Sequence, residues 1–144
     1  MTEYIKPDLT LFGDEHVRLY EETDGEQGYL WNGATCLVLT TKGRKTGATR
    51  KHALICGFDG DTPLVVASQG GAPTHPNWYL NLTADPNVHV QVKGDRFAAV
   101  ARTAEVGAER DRLWKIMTDV WPNYDQYQER TTRVIPVVVL ERQS

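Results

Sequence analysis

Short links between apolar segments limit most strongly what this chain can fold into. The segments 50–58 (RKHALICGF) and 63–68 (PLVVAS) are separated only by the turn DGD. The segments 88–93 (VHVQVK) and 96–105 (RFAAVARTAE) are joined in the same way by KGD. Parallel neighbours need a crossover of about a dozen residues or more, so links this short indicate antiparallel pairing.

Two further segments, 35–41 and 134–142, have the β-branched and apolar content of strands, which makes six predicted strands in all. The strands do not alternate with helices, which argues against a doubly wound sheet. The predicted fold is therefore a β-rich α+β fold, a small antiparallel barrel with helices packed outside. Apolar spacing and proline positions predict those helices at 8–22, 75–84 and 108–121, with a brief helical segment at 123–131.

Length and composition indicate one domain over residues 1–144, with an N-terminal helix in 1–24 and the barrel in 34–142. The N-terminus has no apolar stretch, so we predict no signal peptide and a cytoplasmic protein. Apolar runs such as VVVL are too short to span a bilayer, although contact with a membrane surface stays open. Cys36 and Cys56 are predicted to be buried thiols, with a disulfide between neighbouring strands as the alternative.

Positive charge is concentrated in the segment LTTKGRKTGATRK at 39–51, although the whole chain has net charge −3. No Asp or Glu occurs between Glu26 and Asp59. Gly43 and Gly47 allow a tight turn whose backbone amides can hold phosphate oxygens. The alternative is an exposed hairpin tip with solvated charges. Nucleic acid is disfavoured as a partner because the rest of the chain is acidic. The five cations are Lys42, Arg44, Lys45, Arg50 and Lys51.

Three other motifs have both a functional and a structural interpretation. SQGG at 68–71 follows a strand and can lie against a flat ligand, or can be a plain loop. NWYLNL at 77–82 and WPNYDQY at 121–127 place aromatic rings and amides at helical spacing, which fits either a ligand site or core packing. We find no pattern for a metal site and no nucleophile paired with a base, and His89 is predicted to face solvent.

These segments together resemble the deazaflavin-dependent nitroreductase family, also called coenzyme F420H2-dependent quinone reductases. The resemblance covers 34–142 and includes LTTKGRKTGATR, ASQGGAPTHPNWYLNLTADPNVHVQVKG, WPNYDQY and IPVVVLER in the family's order. It implies a split β-barrel and an oxidoreductase. The cofactor would be coenzyme F420, an 8-hydroxy-5-deazaflavin, whose hydride passes to a quinone, enone-like or nitro-aromatic acceptor. F420 carries a phosphodiester and a glutamate tail, which suits a basic loop.

The resemblance also implies a role for each motif. The phosphate and tail would be held by Lys42, Gly43, Arg44, Lys45, Thr46, Gly47 and Arg50. The deazaflavin end would be lined by Ser68, Gln69, Gly70, Gly71, Trp78 and Asn81. Trp121, Tyr124 and Tyr127 would face the substrate, and the catalytic hydroxyls that polarise the acceptor would be those of Ser68, Tyr124 and Tyr127.

Two positions depart from the family's pattern. Gln69 stands where the best-known members have Lys, and Trp121 stands where members that activate nitro drugs have Tyr, which puts nitro reduction in doubt. Two alternatives remain open: a non-catalytic deazaflavin-binding or carrier protein, and an FMN-dependent split-barrel reductase. FMN ends in a single phosphate, so the basic loop argues against it. Partners are predicted to be a small-molecule acceptor and, as barrels of this kind often dimerise, a second copy of the chain.

Overall fold

Six antiparallel strands close into a barrel in the computed structural model, which describes residue 4 and residues 6–143. The other residues of the predicted 1–144 domain lie outside the described part. The strands are β1 (Leu30–Trp31), β2 (Ala34–Lys42), β3 (Thr49–Asp59), β4 (Thr62–Val66), β5 (Asn87–Val92), β6 (Asp95–Thr103) and β7 (Val137–Arg142). The helices are α1 (Gly13–Thr23), α2 (Asn77–Ala84), α3 (Ala108–Val120) and α4 (Asn123–Glu129), with a 3₁₀ turn at Gln69–Gly71.

The barrel runs in the order β2, β3, β4, β7, β6, β5, and β5 returns to β2 through pairs such as Thr40 with His89. This closure confirms the predicted six-stranded antiparallel barrel with flanking helices. The strand β1 is an addition, paired with the first residues of β2. The sequence indicates only a glycine-punctuated connection at 25–34, because two residues are too few to show alternation.

Both faces of the central strands are buried, which explains their nearly continuous apolar sequences. In β2, Leu37 and Leu39 belong to the inner core, whereas Cys36 and Val38 pack outside with α1. The strand β7 alternates in the same way between the inner core and the outer core under α3 and α4. The helix α2 adds Trp78 to the inner core.

The first helix begins later than the sequence predicts. The apolar spacing predicts a helix from residue 8, but α1 begins at Gly13, and Leu9 and Phe12 are exposed. The preceding segment is not helical and is bound to the turn after β1. There the Asn32 amide accepts from the Asp8 backbone N–H at 2.8 Å and donates to the Asp8 carbonyl at 3.0 Å. These non-local bonds override the local helical pattern.

Other boundaries differ by a few residues at most. The predicted strands 63–68 and 134–142 are shorter, since β4 ends at Val66 and β7 begins at Val137. The predicted helix 75–84 begins at Asn77 because Pro76 has extended backbone angles and caps it. His89 is exposed, as predicted.

Cys36 and Cys56 are both buried and free, which confirms the prediction of buried thiols. Burial raises the pKa of each thiol to about 12. Within the described residues, no helix has both the length and the apolar content needed to cross a membrane.

The buried phenol of Tyr20 joins three elements. Its hydroxyl donates to the Cys36 carbonyl of β2 at 2.9 Å and accepts from the Lys93 backbone N–H at 2.8 Å. Lys93 lies in the turn between β5 and β6 with φ of 53°. One hydroxyl therefore holds α1 against the barrel and fixes this turn.

We expect Tyr20→Phe to lower the free energy of unfolding by about 1–3 kcal/mol, because it leaves a buried carbonyl and a part-buried N–H without their partner. Tyr29→Phe is the matched control, since Tyr29 is only half-buried on the same outer face. Urea unfolding followed by circular dichroism measures both. Equal stability of the two variants would contradict the proposed role of the Tyr20 hydroxyl.

Candidate active site

A cleft of about 700 Å³ opens where β3 separates from β4. The register pairs β3 with β4 only over residues 56–59, so the first half of β3, residues 49–55, has a strand partner on the β2 side alone. Residues 51–55 line the cleft. Backbone N–H and C=O groups on this free edge are available to a ligand, because such groups require hydrogen-bond partners.

The cleft brings together two motifs that are far apart in sequence. From 68–71 it receives Ser68, Gln69 and Gly70, and from 121–127 it receives the three predicted aromatic residues. The helix α2 contributes Asn77 and Trp78. The structure thus places most of the predicted deazaflavin-end and substrate-facing residues around one cavity of a size typical for small-molecule sites.

The loop at 68–71 has an unusual backbone that is fixed by arginines. Gln69, Gly70 and Gly71 have φ of 45°, 64° and 84°. Gly71 does not line the cleft but packs on α4, where an added Cβ would lie 2.5 Å from the Tyr127 carbonyl oxygen. Arg130 donates to the Gly70 carbonyl at 3.2 Å.

Arg133, which the sequence analysis missed, fixes the same loop more extensively. Its guanidinium donates to the carbonyls of Ser68 at 2.8 Å, Ala72 at 2.9 Å and Ala67 at 3.2 Å. It also lies 3.0 Å from Nδ1 of His75. Nothing local in the sequence signals this role, because the partners lie about 60 residues earlier in the chain.

The basic loop is the hairpin tip between β2 and β3. The loop residues predicted to hold the phosphate and tail lie outside the cleft lining. They are Lys42, Gly43, Arg44, Lys45, Thr46, Gly47 and Arg50. Asn81, predicted to line the deazaflavin end, is buried and instead holds the loop: its Oδ1 accepts from the Arg44 backbone N–H at 3.2 Å and from Nη1 at 2.9 Å. Arg44 also reaches Oδ1 of Asn77 at 3.4 Å, and Asn77 lines the cleft. The loop and the cleft are therefore adjacent.

Neutral partners leave the positive charge of this loop uncompensated. Among the described residues, Lys51 is the loop cation with a carboxylate partner, since Nζ lies 2.7 Å from Glu21. Arg44 is bound by amides, and Lys45 and Arg50 are exposed. An exposed cluster of cations with few acids attracts anions.

Trp121, Tyr124 and Tyr127 form one wall of the cleft, called the aromatic wall below, and two of them also belong to the hydrophobic core. Trp121 and Tyr124 are only 3% and 4% exposed and belong to the outer core, whereas Tyr127 is half-buried. The Trp121 indole N–H donates to the Tyr127 hydroxyl at 3.4 Å. Burial raises the pKa of Tyr124 well above its usual value, so its hydroxyl stays protonated. The ring of Trp31, not predicted as a site residue, packs on Trp121 with centroids 5.7 Å apart.

Several other cleft residues were also missed. Phe12, Asp14 and His16 come from α1 and its cap, and His52 comes from β3, next to the predicted loop cation Lys51, which also lines the cleft. The early part of the chain has no motif that marks these residues. Among residues 4 and 6–143, no group of three or more His, Cys, Asp or Glu side chains can hold a metal ion.

Comparison with known proteins identifies the family. The sequence pattern of the F420H2-dependent quinone reductases matches residues 13–142. The chain belongs to this family. An F420H2-dependent quinone reductase of Mycobacterium tuberculosis (strain ATCC 25618 / H37Rv) is 42% identical over 130 residues, which cover 88% of this chain and 87% of that protein.

Two solved structures agree with this family assignment. An F420-H2 dependent reductase, FDR-A, is 38% identical and covers 74% of this chain and 93% of its own, with a TM-score of 0.69. A structure described as a domain-swapped dimer is 35% identical and covers 89% of this chain and 95% of its own, with a TM-score of 0.72.

The residues of this family member fit the cofactor that the family name implies. A flat heteroaromatic ring needs a slot with backbone and side-chain polar groups, which the β3 edge, Ser68 and the backbone of Gln69 and Gly70 provide. An added Cβ at Gly70 would meet no atom within 4 Å, so this backbone is open to a ligand. A polyanionic tail needs cations, which the adjacent loop provides.

We expect Arg133→Met to lower the free energy of unfolding by about 2–3 kcal/mol, because the three carbonyls lose a charged donor. Arg112→Met is the matched control: Arg112 pairs with Asp59 on the exposed surface, where a pair contributes about 0–1 kcal/mol. Urea unfolding measures both variants. A loss no greater than that of Arg112→Met would contradict the assigned role.

Proposed function

We propose that this chain binds reduced coenzyme F420 and uses it to reduce a quinone or a conjugated, enone-like carbonyl compound in the cleft. The contact between Arg44 and Asn77 carries this proposal, because it joins the basic loop to the cleft. One elongated ligand with a flat head and an anionic tail can occupy both. The family assignment supports the same activity.

Each part of the site has a defined task in this proposal. Lys45, Arg44 and Arg50 neutralise the phosphodiester and glutamates, and Asn81 fixes the position of Arg44. The 68–71 loop, rigidly held by Arg133, presents backbone groups to the ring. Because these groups are preorganised, little conformational freedom is lost when the coenzyme binds.

The acceptor is placed against the aromatic wall. When bound, the reduced deazaflavin supplies the hydride, so the protein needs to orient the acceptor, polarise its oxygen and exclude water. Tyr127 and Ser68 offer hydroxyl donors at the cleft, and Tyr124 stays protonated. The buried Trp121 and the half-buried Trp31 narrow the cleft beside this wall, which favours flat acceptors. Reduction of nitro-aromatic compounds is expected to be weak, because Trp121 stands where members that activate nitro drugs have Tyr.

We also predict that the chain forms a homodimer and is cytoplasmic. Contact with a membrane surface stays an open alternative. The related structure described as a domain-swapped dimer supports the homodimer. Sedimentation velocity tests it directly: a single monomeric species at micromolar concentration would contradict it.

The decisive experiment measures binding and turnover with F420 and FMN in parallel. We expect oxidised F420 to bind more tightly than FMN, and anaerobic mixing of F420H2 with menadione to oxidise the coenzyme. Binding without turnover would favour the carrier alternative. Equal or tighter binding of FMN would favour an FMN-dependent reductase.

We expect Lys45→Ala to weaken F420 binding about tenfold, which is the scale of one charged hydrogen bond. The affinity of the parent protein for F420 is also expected to fall as salt is added, because exposed charges are screened. Lys115→Ala is the matched control, since Lys115 is exposed on α3 and pairs with Asp119 away from the loop. Fluorescence titration compares the three proteins. Parent-like affinity of Lys45→Ala would show that this lysine is only solvated.

A further inference from the structure

The imidazole of His52 occupies a special position in the cleft. It lies in the half of β3 that has no partner on the β4 side, opposite Leu39 of β2. Strand alternation places it on the same face as Leu54 and Cys56, which contribute to the inner core. His52 is therefore a polar cleft residue on the same strand face as the apolar inner core.

One nitrogen of this ring lacks a partner. Nδ1 of His52 is buried and has no hydrogen bond to any of the described residues. Leaving such a group unpaired costs about 1–3 kcal/mol, so proteins rarely do so without a reason. A half-turn about the Cβ–Cγ bond exchanges Nδ1 with Cδ2, and no bond at Nδ1 opposes that rotation.

Burial and nearby charged groups shift the pKa of His52. Asp14 of α1 favours the imidazolium, whereas burial, the largest effect, and Arg50 of the same strand disfavour it. The pKa of His52 is consequently lowered from 6.5. The other titratable groups that line this cleft are Lys51, His16, Cys36 and, from α4, Tyr124 and Tyr127.

The proposed reaction needs a proton, which Tyr124 and His16 are poorly placed to supply. Hydride addition to a quinone or enone leaves negative charge on the acceptor oxygen. Burial keeps the proton on Tyr124, because the pKa of that phenol is raised. The other cleft histidine, His16, has its Nε2 bound to the Gly28 carbonyl at 2.8 Å. An imidazole with a pKa near or below neutrality is an efficient proton donor and acceptor in water.

We propose that His52, in its imidazolium form, is a catalytic residue that donates a proton to the acceptor oxygen. This inference rests on the proposed function, in which reduced F420 is the two-electron reductant. The acceptor gains a hydride and is reduced, and the coenzyme is oxidised. An N–H bond of His52 breaks while an O–H bond forms, and the neutral imidazole regains a proton from water.

The first test is the pH dependence of kcat/KM for menadione between pH 5 and 8. The imidazolium is present below its pKa, so the rate of the parent rises as pH falls and levels off below 6.5. We expect His52→Asn to lose this rise and to be about 100-fold slower at pH 5.5, the lower end of the usual contribution of general acid catalysis. His89→Asn, which alters an exposed strand histidine outside this cleft, keeps the parent profile.

Asp14→Asn provides a finer test. Removal of a carboxylate that stabilises the imidazolium lowers the pKa of His52, so the rise in kcat/KM moves to lower pH. A purely structural role for His52 predicts no such displacement. His52→Gln, which also carries an uncharged amide, is a second variant should His52→Asn unfold, as judged by thermal unfolding.

The second readout needs no coenzyme. In an NMR titration of the histidine ring signals, the signal that disappears in His52→Asn is expected to titrate below pH 6.5. It is expected to move to lower pH in Asp14→Asn.

Fluorescence titration with F420 separates this inference from the proposed function. Normal F420 affinity in His52→Asn together with an unchanged pH profile would overturn the role of His52. A parent protein that neither binds F420 nor oxidises F420H2 with menadione would contradict the proposed function itself, and this inference with it.

Discussion

Backbone hydrogen bonding along β3 determines where this protein can hold a ligand. Residues 56–59 pair with β4, but residues 49–55 have a strand partner only on the other side. β3 and β4 separate because β4 stays paired with β7. The chain after β4 continues along the segment that precedes β7, where the Ala67 N–H donates to the Pro136 carbonyl at 3.0 Å. A closed barrel elsewhere supplies the stability that a partly unpaired strand lacks. The cleft, the aromatic wall and the position of His52 all follow from this separation.

The two walls of the cleft are mechanically connected although their sequences are distant. Arg133 binds three carbonyls of the 67–72 segment, and Arg130 binds the carbonyl of Gly70. The close approach of Gly71 to the Tyr127 carbonyl completes the contact. A shift of α4 therefore moves the 68–71 loop together with the aromatic wall, which in the proposed function keeps the coenzyme ring and the acceptor in a constant relation.

Local sequence patterns correctly predicted those helices and strands that are determined by residues close together in the chain. Turn-length links gave the antiparallel strands, and alternation placed His89 on the solvent-facing side of its strand. Local patterns failed for α1, because its start is decided by the bonds between Asp8 and Asn32. The family's motifs predicted Ser68 and Tyr127, which line the cleft, whereas Arg133 and His52 lie outside those motifs. Their importance depends on carbonyls and on an unpaired strand edge that exist only after the barrel has closed.

The burial of the two thiols, Cys36 and Cys56, affects how they react with the proposed acceptors. Quinones and enones are electrophiles that form covalent adducts with thiolates, and the thiolate rather than the thiol is the reactive species. Cys36 lines the cleft, yet burial raises its pKa to about 12, as it does for Cys56. At neutral pH both thiols therefore stay protonated. The packing of β2 and β3 thus gives the chain chemical resistance to arylation by the compounds it is proposed to reduce.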